Sequence, residues 1–302
     1  MKREFSSMAE KTTGDSQGGY TDAYRNAAAA GSAIVTDSKT GIKFDHTTMS
    51  WNDPTIPLRK RIAARIAESV QDIENPKCID VACSMGKDLG YLKEALGTKP
   101  AQFFGIDLLE AQLVKARENM PDVNFTQGDV LALPYGDAEF DSVQTSRLLV
   151  HIPDFRKAID EMIRIMKPGA MGVFSEGEMD QGMLLLTSDD RLRLVHQKKT
   201  EFTAKMIANP RAASNSYRYL LSHADVEDVT MEAFTNFLFK PTEMFGTMDY
   251  DAQGLKKLVE NGTLAQDDMD YYLAEATGRS ANEGNFVQQF CGPIEIIFRK
   301  KK

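Results

Sequence analysis

Residues 77–107 read KCIDVACSMGKDLGYLKEALGTKPAQFFGID. The run Cys78–Cys83 is short and apolar apart from Asp80, the pattern of a buried strand. Small residues follow through Gly86, and Lys87–Leu96 then has helical spacing. A second apolar strand, Phe103–Asp107, again ends in an acid. A strand, a tight small-residue turn, a helix and a second strand make one parallel crossover unit.

The rhythm continues downstream. Ala111–Asn119 is helical and closed by Pro121, and Val123–Gln127 is a third strand before Gly128-Asp129. Phe140–Thr145 is a fourth strand. In Phe155–Met166, Ile159, Met162, Ile163 and Met166 share one helical face, and Pro168-Gly169 ends that helix. Met171–Ser175 is a fifth strand. Strands alternating with helices predict an α/β, doubly wound, mostly parallel sheet covered on both faces. Residues 183–285 break the pattern and read as mostly helical, a cap inserted before the end of the sheet, with one strand candidate at Val226–Glu232. Phe286–Arg299 reads as two short strands around Gly292-Pro293, forming an antiparallel edge hairpin with the upstream strand. The closing Arg-Lys-Lys-Lys reads as a solvated tail.

Upstream, Leu58, Ile62, Ile66 and Val70 recur every four residues from Pro57, one apolar helical face. Residues 1–50 are polar and small, a loosely ordered arm with one short helix near Thr21–Gly31 that carries Tyr24, with Tyr20 just before it. The two tyrosines either anchor the arm or close a site as a lid, and the two roles are compatible. The expected organisation is an arm at 1–50, a core at 51–182, a helical cap returning to the sheet at 183–250, and helices with the edge hairpin at 251–302.

The 302 residues are 42% hydrophobic and 26% charged, which excludes general disorder. A formal net charge of −8 repels phosphate backbones and argues against a nucleic-acid binder. No apolar run approaches a membrane span, and MKREFSSMAEK has no apolar leader segment, so no membrane partner and no secretion are expected. Cys78, Cys83 and Cys291 are too scattered for a disulfide framework or a zinc site, so no metal and a reducing cytoplasm are expected.

The chemistry lies at the strand ends. The first turn is not the Gly-x-Gly-x-x-Gly of a dinucleotide site, and Asp80 would repel a pyrophosphate but welcome an ammonium. Asp107 can accept both hydroxyls of a ribose. Asp129 can accept an adenine amino hydrogen while a neighbouring amide serves a ring nitrogen. Any one of these acids alone would read as a cap or turn residue. In order, each after an apolar strand, they suit an adenosine with a cationic amino-acid tail.

With these motifs the chain resembles the class I S-adenosylmethionine-dependent methyltransferases, in the small-molecule branch that holds quinone-biosynthesis and natural-product enzymes. DVACSMG resembles the family's first motif, GIDLLEAQLVKAREN the ribose motif and QGDVLALPYGDAEFDSV the adenine motif. SRLLVHIPDFRKAIDEMIRIMKPGAMGVFSE resembles the segments that follow, and NPRAASNSYRYLLSHADVEDV the helix and strand after the substrate-covering insert. The family usually has glycine where Ala82 and Ser84 stand and keeps Gly86. The resemblance implies a seven-stranded Rossmann-like sheet, S-adenosyl-L-methionine as cofactor, and O- or C-methylation of a small apolar acceptor. The altered turn motivates two alternatives: a non-methylating cyclase or hydrolase on this scaffold, or a non-catalytic partner protein.

The expected cofactor contacts are Asp80, Ala82, Ser84 and Gly86 at the methionine end, Asp107 with Leu108 at the ribose, Asp129 with Val130 at the adenine, and Ser146 near the reaction centre. His151, after the fourth strand, is either a general base or a packed turn residue. Glu176, Glu178 and Asp180 either orient or deprotonate a substrate or cap the next helix. Arg147 binds a carboxylate or pairs with a nearby acid. Tyr20 and Tyr24 face the substrate if the arm is a lid, and the arm also offers a contact for a second copy of the chain. Met183, Met206, Phe234, Phe237, Phe239, Met244, Phe245 and Met248 either line an apolar substrate pocket or form the core of the cap.

Overall fold

A computed structural model describes residues 19–37, 40–45, 55–178, 183–238, 248–276 and 287–302. In chain order the elements are α1 (Gly19–Ala29), β1 (Ile34–Thr36), β2 (Lys43–Asp45), α2 (Ile56–Ser69), β3 (Lys77–Val81), α3 (Lys87–Leu96), β4 (Gln102–Asp107), α4 (Glu110–Asn119) and β5 (Asn124–Gln127). Then come β6 (Phe140–Ser146), α5 (Phe155–Ile165), β7 (Met166–Glu176), β8 (Met183–Leu186), α6 (Asp190–Met206), α7 (Ala212–Ser222), β9 (Val226–Leu238), α8 (Met248–Glu260), α9 (Gln266–Ala276) and β10 (Val287–Lys300).

Strands β5, β4, β3, β6 and β7 are parallel neighbours in that order, and β10 runs antiparallel beside β7. One edge of β10 pairs with β9 along nearly its whole length, so β7 and β8 share the other edge. Among the described residues, eight strands thus fill seven positions, with β8 prolonging the line of β7. The crossover after β3 leads outward to β4 and β5, while the chain after β5 returns to β6 on the opposite side of β3. The carboxyl ends of β3 and β6 therefore flank the point where strand order reverses, the expected place for a ligand.

Both faces of the sheet are buried. On one, Phe140, Val143 and Phe174 pack with Ile159, Met162 and Ile163 of α5 and Leu220 of α7. On the other, Leu58, Ile62 and Ile66 of α2 join Leu89, Leu92 and Leu113 over Cys78 and Val173. Each large apolar side chain buried this way contributes about 1.5–3 kcal/mol. A separate core in the cap unites Leu192 and Val195 of α6, Leu255 and Leu258 of α8, Leu264 in the loop that follows, and Tyr272 of α9. The cap therefore extends across residue 250, where the expected boundary had divided it.

Four further expectations are corrected. The C-terminal segment is one continuous strand. Gly292-Pro293 falls in a register shift between Cys291 and Ile294, so the proline's missing N–H costs the ladder nothing there. Met183–Leu186 is a strand within the region read as helical, because a four-residue apolar run has no decisive period. The arm contains an antiparallel hairpin, β1–β2, whose turn is held by the Asp37 carboxylate accepting the Thr40 amide and hydroxyl. The basic tail is structural: the Lys300 ammonium donates to the carbonyls of Ile163, Arg164 and Met166 at the end of α5, and Arg299 donates to Gly169 O.

The arm is packed. Ala23 and Ala27 of α1 are buried with Val35 against Leu109, the residue that opens α4. At the hairpin, the backbone of Lys43 exchanges hydrogen bonds with the side-chain amide of Gln253 on α8, linking the arm to the cap.

Candidate functional site

The turn after β3 has an unusual backbone. Ala82, Ser84 and Gly86 have φ of 62°, 51° and 79°, all left-handed, although only the last is glycine. A non-glycine residue held there costs of order 1–3 kcal/mol. The turn persists because its neighbours over-determine it. The Cys83 amide donates to Ile106 O at 3.0 Å, and the Ser84 amide to Asp107 Oδ2 at 2.9 Å. The Ser84 hydroxyl donates to Gln112 Oε1 at 3.1 Å. The other oxygen of Asp107 accepts the Leu109 amide at 2.9 Å. Burial pushes the Asp107 carboxyl above its usual range, and these two amides oppose the shift.

Beside the turn lies a cleft open to solvent. Val81, Ala82, Ile106, Asp107 and Leu108 form one wall, Gly128–Leu131 a second, and Leu148, His151 and Ile152 a third. Tyr24 and Arg25 of α1 cover it. Asp129 Oδ1 accepts the Leu131 amide at 2.9 Å, while Oδ2 lies 3.8 Å from the Arg25 guanidinium. The Tyr24 and His151 rings meet with centroids 5.1 Å apart.

His151 belongs to a one-turn 3-10 helix, Leu149–His151. Glu176, at the end of β7, is fully buried, and its Oε1 accepts the amides of Leu148 and Leu149 at 2.9 and 2.8 Å. Burial raises its pKa to about 7.

Residues 78–169 match the family model of a methyltransferase domain. Over this stretch the core of the chain is similar to methyltransferase domains. It is 36% identical over 115 residues to a demethylmenaquinone methyltransferase of Staphylococcus carnosus, over 37% of this chain and 47% of that protein. A phthiotriol/phenolphthiotriol dimycocerosates methyltransferase of Mycobacterium tuberculosis is 33% identical over 120 residues, 39% of this chain and 42% of that protein. The chain thus spans less than half the length of these two relatives. The YcgJ protein of Bacillus subtilis shares the fold, with a TM-score of 0.54 at 15% identity over 82% of this chain and 99% of that one. This matched domain carries β3 to β6 and every lining residue of the switch-point cleft except Tyr24 and Arg25.

Of the residues expected at the site, this domain brings Ala82, Asp107, Leu108, Asp129, Val130 and His151 together in the cleft, and the arm adds Tyr24. Others stand apart from its lining. Asp80 is buried beneath the turn, its carboxyl pushed well up, first by burial and then by the nearby Asp88, which itself pairs with Arg59 at 3.0 Å. Ser84 faces Gln112. Gly86 was expected to admit a ligand to the backbone. A Cβ there would instead meet Met120 Cε at 2.2 Å and Phe125 Cζ at 3.0 Å, so the missing side chain makes room for the protein's own packing. Ser146 pairs in register with Ser175. The Arg147 amide donates to Ser175 O at 2.8 Å, and its guanidinium acts electrostatically on buried Glu176. Glu176 itself grips the His151 turn rather than facing the cleft. Glu178 caps α7 by accepting the Ser214 amide at 2.5 Å. Tyr20 lies one helical turn before Tyr24 on α1, and its side chain lies outside the described residues. Asp180, Phe239, Met244 and Phe245 lie outside the described residues. As lining residues, the sequence reading missed Arg25, Val81, Ile106, Gly128, Leu131, Leu148 and Ile152. Leu131 had a local signal as the amide two residues beyond an Asp, and Val81, Ile106 and Gly128 as direct neighbours of expected cofactor contacts.

Two measurements check this account. Ala82→Gly should raise unfolding stability by about 1 kcal/mol, because relief of left-handed strain exceeds glycine's entropic cost and no side-chain hydrogen bond is lost. Equilibrium denaturation would show it, and a loss of stability would mean that the turn is not strained. Glu176 keeps its proton to about pH 7 in the folded chain but loses it near 4.5 when unfolded. Its contribution is complete below pH 4.5 and is lost as pH rises through 7, roughly 3 kcal/mol in all. Glu176→Gln should flatten that decline while preserving an acceptor for the two amides.

Proposed function

We propose that the chain transfers a methyl group from S-adenosyl-L-methionine to a small, fairly apolar acceptor, at oxygen or carbon. The observation that carries this reading is the convergence on one cleft of Asp107, Asp129 and His151, from three different strand-to-helix junctions of a methyltransferase domain. The relatives named for demethylmenaquinone and for phthiotriol lipids support an apolar acceptor. Among the described residues no cluster suits a metal ion, and no helix is long and apolar enough to cross a membrane.

The residues present fit the cofactor. A carboxylate offers about four acceptor positions, so Asp107 retains capacity for ribose hydroxyls after accepting two amides. Asp129 would take the adenine amino group, between apolar walls from Ile106, Leu131 and Ile152. The left-handed turn survives its alanine and serine, so those substitutions leave the cradle's backbone in place. Ala82 would lie against the methionine end, with the carboxyl of Asp80 held beneath the turn for a cationic group. The bound cofactor supplies an electrophilic methyl on a sulfonium centre. His151 would accept the acceptor's proton as the new bond to carbon forms, and Tyr24 would hold the imidazole and shield the cleft from water. Positioning supplies most of the acceleration.

In this proposal the arm serves as a lid that is also anchored, and it is the surface through which a second copy would bind. Sparse cysteine usage favours a reducing cytoplasm, and the apolar acceptor favours secondary or cofactor metabolism.

The test is incubation with S-adenosyl-L-methionine and a panel of phenols and naphthohydroquinones, reading a mass gain of one methyl. Asp107→Ala should weaken S-adenosylhomocysteine binding at least tenfold by calorimetry, since each charge-assisted bond is worth ~1.5–3 kcal/mol. Unchanged affinity in a folded variant would overturn the assignment. His151→Ala should lower kcat by roughly 10²–10⁴-fold with cofactor affinity preserved. A raised KM with kcat intact would make His151 a binding residue.

A further inference from the structure

The turn that carries His151 is gripped from two directions. Glu176 holds its leading amides from the end of β7. From the other side comes Asn209, in the short loop between α6 and α7. The Asn209 amide donates to Val150 O at 3.0 Å, and its side-chain Nδ2 donates to Leu149 O at 3.2 Å. Its Oδ1 accepts Nδ2 of Asn215, on the first turn of α7, at 2.7 Å. Loop asparagines are ordinarily exposed, yet this one is 5% exposed with both ends of its amide engaged. Burying an amide is costly unless it is hydrogen-bonded, so the geometry around Asn209 is narrowly specified. The chain reaches Asn209 three residues after α6 ends, and α6 is the helix on which the core of the cap is built.

We infer that Asn209 is a positioning residue that sets the His151 turn from the cap side, so that the seating of the cap helices and the direction of the imidazole are coupled. This rests on the reading of His151 as the base. Asn209 reaches the turn through its backbone and does not line the cleft, so its loss should leave cofactor binding alone. Misplacement of a reacting group by about 1 Å can cost ~10²-fold.

The test uses Asn209→Ala, which removes the bond to Leu149, and Asn215→Ala, which unhooks Asn209 without touching the turn. The chain has four histidines, so the imidazole resonances can be assigned by single substitutions. Asn209→Ala should move the His151 ring signals and their pH titration, leaving those of His196 and His223 in place, with S-adenosylhomocysteine affinity within about twofold. Asn215→Ala should move the same signals less, and it carries the test if Asn209→Ala does not fold. With a 1,4-naphthohydroquinone as acceptor, Asn209→Ala should lower kcat roughly 10–100-fold in the wild-type background and not further in His151→Ala. Unmoved His151 signals would overturn the inference. So would equal kcat losses in both backgrounds, or shifts shared by all the histidines. If His151→Ala alone left kcat intact, the general-base reading would fall, while the His151 spectrum would still decide the role of Asn209.

Discussion

The carboxylate of Asp107 ties the turn after β3 to the first turn of α4. One oxygen accepts the Ser84 amide from the turn after β3, the other the Leu109 amide at the start of α4. Charge-assisted bonds of this kind are about twice as strong as neutral ones. Their consequence is a backbone turn that holds alanine and serine in conformations they otherwise avoid. Leu109, fixed by the same carboxylate, is the surface against which the arm helix packs through Ala23 and Ala27. The cradle, the first turn of α4 and the cover over the cleft thus share one anchor.

Around that anchor the molecule divides its labour. The sheet, with apolar cores on both faces, supplies rigidity and places strand ends side by side. The cap has its own core and touches the site indirectly, through Asn209. The arm closes the remaining side with Tyr24 over His151 and Arg25 near Asp129. An exposed ion pair at 3.8 Å contributes little binding energy, so the arm is held by its buried alanines rather than by Arg25.

Most of the sheet could be read from local pattern. The five parallel strands are short segments bounded by turn residues, with clear apolar runs in β3 and β4, and α5 has one clear buried face. The elements that escaped are those whose character comes from a distant partner. Met183–Leu186 becomes a strand because β10 offers it an edge, and Gly292-Pro293 passes through a strand because β9 accommodates a shift in register. Lys300 looked like a solvated tail residue until the end of α5 appeared beside it, more than a hundred residues away in the chain.

At the site, the sequence alone determined the order of acids at strand ends, Asp107 and Asp129 among them, because a strand that must be buried leaves its polar residues at its mouth. It also placed His151 after the fourth strand. Tertiary structure decided which candidates share the cleft. Glu176 and Glu178 follow the same strand and looked equivalent to His151. Yet one is buried against the amides of the His151 turn and the other caps α7, since a carboxylate near unsatisfied N–H groups is captured by them. Gly86 likewise was legible as a turn glycine, but only the approach of Met120 and Phe125 shows what its missing side chain makes room for. Local pattern specifies which groups stand near a strand end; the partners that claim them come from elsewhere in the chain, and no spacing rule reports on those.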